Sequence, residues 1–104
     1  MFKINQEDFS IKMNEKDFGL IIKIKLSNVS DKSSFKIKIY NYENEEILTK
    51  DLIAVDNILS FKLSKEESSL LKTGDYLWGL IQYVDNELYA TLLVDKIFLV
   101  EKGA

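Results

Sequence analysis

The sequence predicts an all-β domain of seven to eight strands with one short helical turn. Apolar and polar residues alternate through most of the 104 residues, the period of a strand with one buried face. Turn-forming pairs, Asp56-Asn57 and Asp85-Asn86 among them, punctuate that alternation about every 10 residues, the spacing of sandwiches and barrels. A single segment, beginning at Ser64, carries helix-start signals instead.

The elements follow in order. Phe9, Ile11 and Met13 alternate with Ser10 and Lys12, and Asn14-Glu-Lys-Asp17 reads as a turn. Leu20, Ile22, Ile24 and Leu26 define one inner face, and Asn28 to Ser34 a polar loop. Phe35, Ile37 and Ile39 alternate with Lys36, Lys38 and Tyr40, and Asn41 to Glu46 connects to a strand from Ile47 to Ala54. Leu59, Phe61 and Leu63 form the next strand. Ser64 and Glu67 fit a capping box, Leu70 and Leu71 close the helical turn, and Gly74 supplies a left-handed C-terminal residue. Tyr76 to Tyr83 is a strand, Asp85-Asn86 a hairpin turn, and Leu88 to Val94 and Lys96 to Glu101 are the last two strands.

Residues 1–104 make one domain with a modest core. An apolar fraction of 46% beside 30% charged residues is globular rather than disordered. A net charge of −3, with both signs interspersed, argues against a surface that tracks nucleic-acid phosphates. The sequence contains no Cys, His, Pro or Arg. Disulfides and thiol chemistry are thereby excluded, and the usual transition-metal ligands and neutral-pH general base are missing. We expect no enzyme activity and no cofactor. No apolar run reaches membrane-spanning length, and the first residues lack the apolar core of a signal peptide, so the expectation is synthesis in the bacterial cytoplasm, the protein staying inside the cell unless something carries it out.

Other clusters have plain structural readings. Glu43, Glu45 and Glu46, with Asn41 and Asn44, offer oxygen ligands for Ca²⁺, but their spacing matches no EF-hand loop and fits a solvated connection. Glu66 and Glu67 suit the start of a helix. Lys23, Lys25, Lys36 and Lys38 read as outer faces kept soluble by charge, which can also protect an edge, rather than as a basic patch for nucleic acid or anionic glycans. Tyr40 and Tyr42, with Trp78, could stack on sugar rings, but Trp78 is assigned to the core below and two tyrosines near a loop are weak grounds.

The stretch Leu71-Lys-Thr-Gly74-Asp-Tyr76-Leu-Trp78 has the frame of a tyrosine corner. In immunoglobulin-like sandwiches a Tyr at the start of strand F bonds back to the preceding backbone, and a core residue follows two positions on. Trp78 stands in that core slot, where antibody domains have a Cys. The expected architecture is an immunoglobulin-like antiparallel β-sandwich.

The run Leu63-Ser-Lys-Glu-Glu…Leu70-Leu71…Gly74-Asp-Tyr76-Leu-Trp78-Gly-Leu80, with Tyr89-Ala-Thr91-Leu92…Lys96-Ile-Phe98-Leu-Val100, resembles a phage immunoglobulin-like module. That module occurs at the N-terminus of baseplate upper proteins and in related small phage and prophage proteins. The resemblance covers roughly the last 40 residues, and its motifs are mostly packing positions. Asp95 stands where the family often has Gly, and Asn14-Glu-Lys-Asp17 replaces its usual Gly-Asp turn. The resemblance implies a structural, protein-binding component of a virion or phage-tail-like particle, and it transfers no catalytic residue.

One feature exceeds the needs of a sandwich. If Tyr76, Trp78 and Leu80 face inward, then Leu77, Ile81 and Tyr83 face outward, as do Ile97 and Leu99 beside Phe98 and Val100. An outer sheet face should be polar, and a contiguous apolar one marks a contact surface. These five residues are the candidate partner-binding surface, unless the segment around Phe2 and Ile4 covers them. The expected function is a stand-alone baseplate accessory, adaptor or decoration subunit. Its partners would be other particle proteins or further copies of itself, bound by apolar burial and strand-edge pairing. The alternatives are a small inhibitor or regulator that docks on another protein and a carbohydrate-binding β-sandwich module.

Overall fold

The computed structural model describes residues 3–19, 21–27 and 29–102; Phe2, Leu20 and Asn28, named above, lie outside the described residues. Among the described residues, eight strands and one helix run in the order β1 (Lys3–Ile4), β2 (Ile11–Asn14), β3 (Ile21–Lys25), β4 (Ser33–Tyr40), β5 (Glu46–Leu52), β6 (Ile58–Lys62), α1 (Lys65–Ser68), β7 (Gly74–Val84) and β8 (Glu87–Glu101). Six strands form one sheet, ordered β1-β2-β8-β7-β4-β5, and β3 pairs with β6 in a second. Every pairing is antiparallel except that of β2 with β8, which is parallel. The expected sandwich was antiparallel throughout. The exception needs no tight crossover, because almost the whole chain separates these two strands.

Alternation sorts the side chains. In β3, Ile22 and Ile24 are buried while Lys23 and Lys25 are exposed. In β4, Phe35, Ile37 and Ile39 are buried, with Lys36, Lys38 and Tyr40 on the outer face. Both sheets contribute to one core, in which Trp78, Leu80, Phe98, Ile11 and Met13 meet Ile22, Leu59 and Phe61. Each such side chain contributes about 1.5–3 kcal/mol on burial, so a chain without disulfides rests on this cluster.

The turns use the chemistry the sequence offered. Asp56-Asn57 and Asp85-Asn86 each hold two successive positive φ angles (53° and 63°, 54° and 65°), the requirement of a tight hairpin turn. The Asp17 carboxylate accepts from Asn14 N–H at 2.9 Å and closes the first turn. At α1 the Ser64 side chain accepts from Glu67 N–H, and Glu67 accepts from Ser64 N–H at 2.8 Å, a complete capping box.

Four expectations are corrected. Gly74 is not the helix C-terminal residue: α1 ends at Ser68 and is capped by Ser69 in right-handed geometry, and Gly74, at φ 153°, opens β7. Leu70 and Leu71 follow α1 rather than close it, Leu70 exposed and Leu71 in the core. Phe9 belongs to no strand, because its φ of 59° turns the chain before β2 begins. The last two strands are one, β8, kinked at Asp95.

Candidate functional site

The site is built on β7. Its first half is locked at the corner, where the Tyr76 hydroxyl donates to Lys72 C=O at 2.8 Å. That is the bond the Tyr76–Trp78 frame anticipates, and burial raises the Tyr76 pKa above its ordinary 10.0. Trp78 is fully buried, and its indole N–H donates to Phe9 C=O at 2.9 Å. A buried indole thus finds its partner in the irregular turn before β2. Glu15 fastens the same end, accepting from Thr73 N–H at 2.9 Å and from the Thr73 hydroxyl.

At the middle of β7 the sheet is pinched. Between the pairs Trp78–Lys96 and Leu80–Leu93 the register shifts, with Gly79 on β7 and both Val94 and Asp95 on β8. Asp95 takes a φ of 51°, as the extra residue of a bulge often does. A Cβ on Gly79 would stand 2.9 Å from Leu93 C=O, so only glycine fits. The Tyr40 hydroxyl donates to the Asp95 carboxylate at 2.6 Å and accepts from Asp95 N–H at 2.9 Å. Tyr40 is on β4 and Asp95 on β8, so this link crosses over β7 beside the residue that has no side chain. Burial first, and the Asp95 carboxylate second, raise the Tyr40 pKa above its ordinary 10.0.

The five candidate residues all lie on strands β7 and β8, but as two groups. Leu77 pairs with Ile97, and Leu99 is the next outward residue on β8, opposite Asp75 and Lys12. Ile97 is 53% exposed, while Leu77 and Leu99 are half-buried. Ile81 and Tyr83 sit beyond the pinch, opposite Lys36 and Ser34 of β4. Leu77 and Ile81 are four residues apart, roughly 13 Å, with Gly79 and the Tyr40–Asp95 link between them. The continuous apolar face expected from alternation is therefore divided. Ile4 does not cover it, because Ile4 packs against the core.

Sequence alternation missed a second set of exposed apolar residues. Leu88, Tyr89, Leu92 and Val94 on β8 are all exposed. On the side away from β7, β2 pairs only with Phe98 to Glu101. The register of β8 against β7 shifts three times between Trp78 and Tyr83. Such bulges spoil the even row of free N–H and C=O groups that an added strand needs, so strand-edge pairing along this stretch is disfavoured. The signal in sequence was the run of apolar residues from Leu88 to Val94, which lacks strict alternation.

The remaining clusters resolve structurally. The Asn41 carboxamide oxygen accepts from Glu43 and Glu45 N–H at 2.9 Å, and its NH₂ donates to the Glu45 carboxylate; it organises the acidic loop as a turn. No group of three or more metal-ligating side chains gathers among the described residues. Lys23 and Lys25 face outward from one sheet and Lys36 and Lys38 from the other, so they do not merge. Tyr42 is exposed in its loop, and Trp78 is unavailable for stacking. Comparison with protein-family models, curated proteins and solved structures returns no match.

Proposed function

We propose that the chain is an immunoglobulin-like sandwich that serves as a non-enzymatic structural subunit of a phage virion or phage-tail-like particle. In this reading β3 and β6 take the places of strands B and E, and β4, β5, β7 and β8 those of C, C′, F and G. The helical turn between E and F, followed by the Tyr76 bond, supports the assignment.

The observation that carries the particle reading concerns the two departures from the phage module. Asp95 stands where that family often has Gly, and its φ is 51°. Lys16 lies in the segment that replaces the Gly-Asp turn, and its φ is 74°. Both departures thus keep backbone geometry that glycine favours. The contact surface in this reading is Leu77, Ile97 and Leu99, apolar side chains on an outer sheet face that would otherwise be polar.

The test is sedimentation of purified particles. The protein should travel with them, and Ile97→Glu and Leu99→Glu should release it while its β-sheet circular dichroism persists. A wild-type protein that sediments only as a small species, or charged variants that incorporate normally, defeats the reading.

A further inference from the structure

Beyond the pinch, the outer face holds an open trough of about 460 Å³ lined by Ser34, Lys36, Asp51, Leu52, Ile53, Tyr83 and Asn86. We propose that it binds one neutral pyranose ring of a glycan, held against Tyr83. The argument starts from register. Ser34 is paired with Tyr83, and Phe35 with Leu52, so the next step of the chain brings Ile53 to the far side of Ser34. A small residue thus lies between two large ones. Tyr83 and Ile53 are two strand spacings apart, roughly 9.6 Å, which leaves room for a single saturated ring between them. Ile53, 74% exposed, lines the trough on the β5 side.

The chemistry of the rim selects the ligand. Ser34 and Asn86 offer both donors and acceptors, Asp51 accepts and Lys36 donates, which suits hydroxyls that also do both. Tyr83 supplies a flat face with negative quadrupole, complementary to the C–H face of a sugar ring. The Lys36 ammonium lies 5.7 Å from the Tyr83 centroid and 3.7 Å from the Asp51 carboxylate. Its charge is already balanced, so the rim does not favour phosphate or a carboxylated sugar. The inference does not rest on the particle reading. The trough and the Leu77–Ile97–Leu99 surface are on opposite sides of the Tyr40–Asp95 link.

The test is a set of ¹H–¹⁵N spectra of the whole chain titrated with methyl glucopyranoside, methyl galactopyranoside and N-acetylglucosamine. At least one should give saturable shifts confined to Ser34, Lys36, Asp51 to Ile53, Tyr83 and Asn86. Tyr83→Ala should weaken that binding about tenfold or more, roughly the loss of an aromatic contact. Ser34→Leu should abolish it by filling the trough while leaving Tyr83 in place. The proposal is overturned if none of the sugars gives saturable shifts, if the shifts fall elsewhere, or if both folded variants bind as the wild type does. Capture of peptides without sugars by the same trough overturns it equally.

Discussion

The two halves of β7 follow the same alternating pattern but are held in opposite ways. From Gly74 to Trp78 the strand is fixed by links that leave the sheet: Tyr76 to Lys72, Trp78 to Phe9, and Thr73, just before the strand, to Glu15. From Ile81 to Val84 every residue is only half-buried. Its inward residues are Val84 and Gln82, and Gln82 donates to the Ser33 hydroxyl at 3.1 Å. The first half behaves as a core staple in a chain without disulfides. The second half pairs with Lys36, Phe35, Ser34 and Ser33 of β4, and its outer face is open. A strand can thus hold a sandwich together at one end and present a surface at the other, provided something rigid separates the two. Here that separator is Gly79 with the Tyr40–Asp95 link.

The sharpest way to break this contrast is at the core position of each half. Trp78→Ala should cost about 3–5 kcal/mol, as truncation of a fully buried aromatic does. Gln82→Ala should cost only about 1 kcal/mol, since one part-buried hydrogen bond is lost. Urea denaturation of the two variants measures both. Equal losses would mean that the two halves are held alike.

The separator is tested next. Gly79→Ala places a methyl 2.9 Å from Leu93 C=O, a backbone atom that can yield only if the bulge shifts. A cost of about 1–3 kcal/mol is expected, as for overpacking. The same substitution should disturb the Tyr40 and Asp95 resonances, because the bulge positions Asp95. A neutral Gly79→Ala would show that close approach does not define the pinch.

Much of this arrangement was legible in the sequence. The capping box, the two Asp-Asn turns and the Tyr76–Trp78 frame are local devices whose partners lie within a few residues, and each appears where its spacing places it. The division of the outer face was not legible. It depends on Asp95 meeting Tyr40 across 55 residues and on bulges that add residues to β8 but not to β7. Alternation counts every residue as one step, so it cannot register a bulge. Phe9 escaped for a related reason. Its apolar character fits the period, but its φ of 59° lets its carbonyl reach Trp78, a contact made 69 residues away.

The corner itself is a smaller test. Tyr76→Phe removes the bond to Lys72 C=O but keeps the ring, and a loss of about 1 kcal/mol is expected for one hydrogen bond. The expected signature is a lower melting temperature with unchanged core packing, read from the near-ultraviolet signal of Trp78. A change in the Trp78 signal would instead make the Tyr76 bond a determinant of core geometry.

The smallest expected effect comes from acid. The Glu67 carboxylate is partly buried, which opposes its ionisation, but the Ser64 N–H and the Lys50 ammonium at 2.9 Å outweigh that and lower its pKa from the ordinary 4.5. Lys50 also donates to Lys62 C=O, so β5 of one sheet is tied to the end of β6 and to α1. A carboxyl with a depressed native pKa binds fewer protons folded than unfolded. Its stabilising contribution is complete above the unfolded value and fades as pH falls through the native one. Stability should therefore decline below about pH 4.5 as Glu67 protonates. Glu15 acts in the same direction, its pKa lowered by Thr73. Glu67→Gln retains an acceptor for Ser64 N–H but loses the charge facing Lys50. It should be modestly less stable at pH 7 and show a shallower decline from pH 5 to 3 than the wild type in parallel thermal melts. An unchanged slope would mean that Glu67 contributes its capping bond alone. The helical turn would then be independent of the β5 edge that Lys50 joins to it.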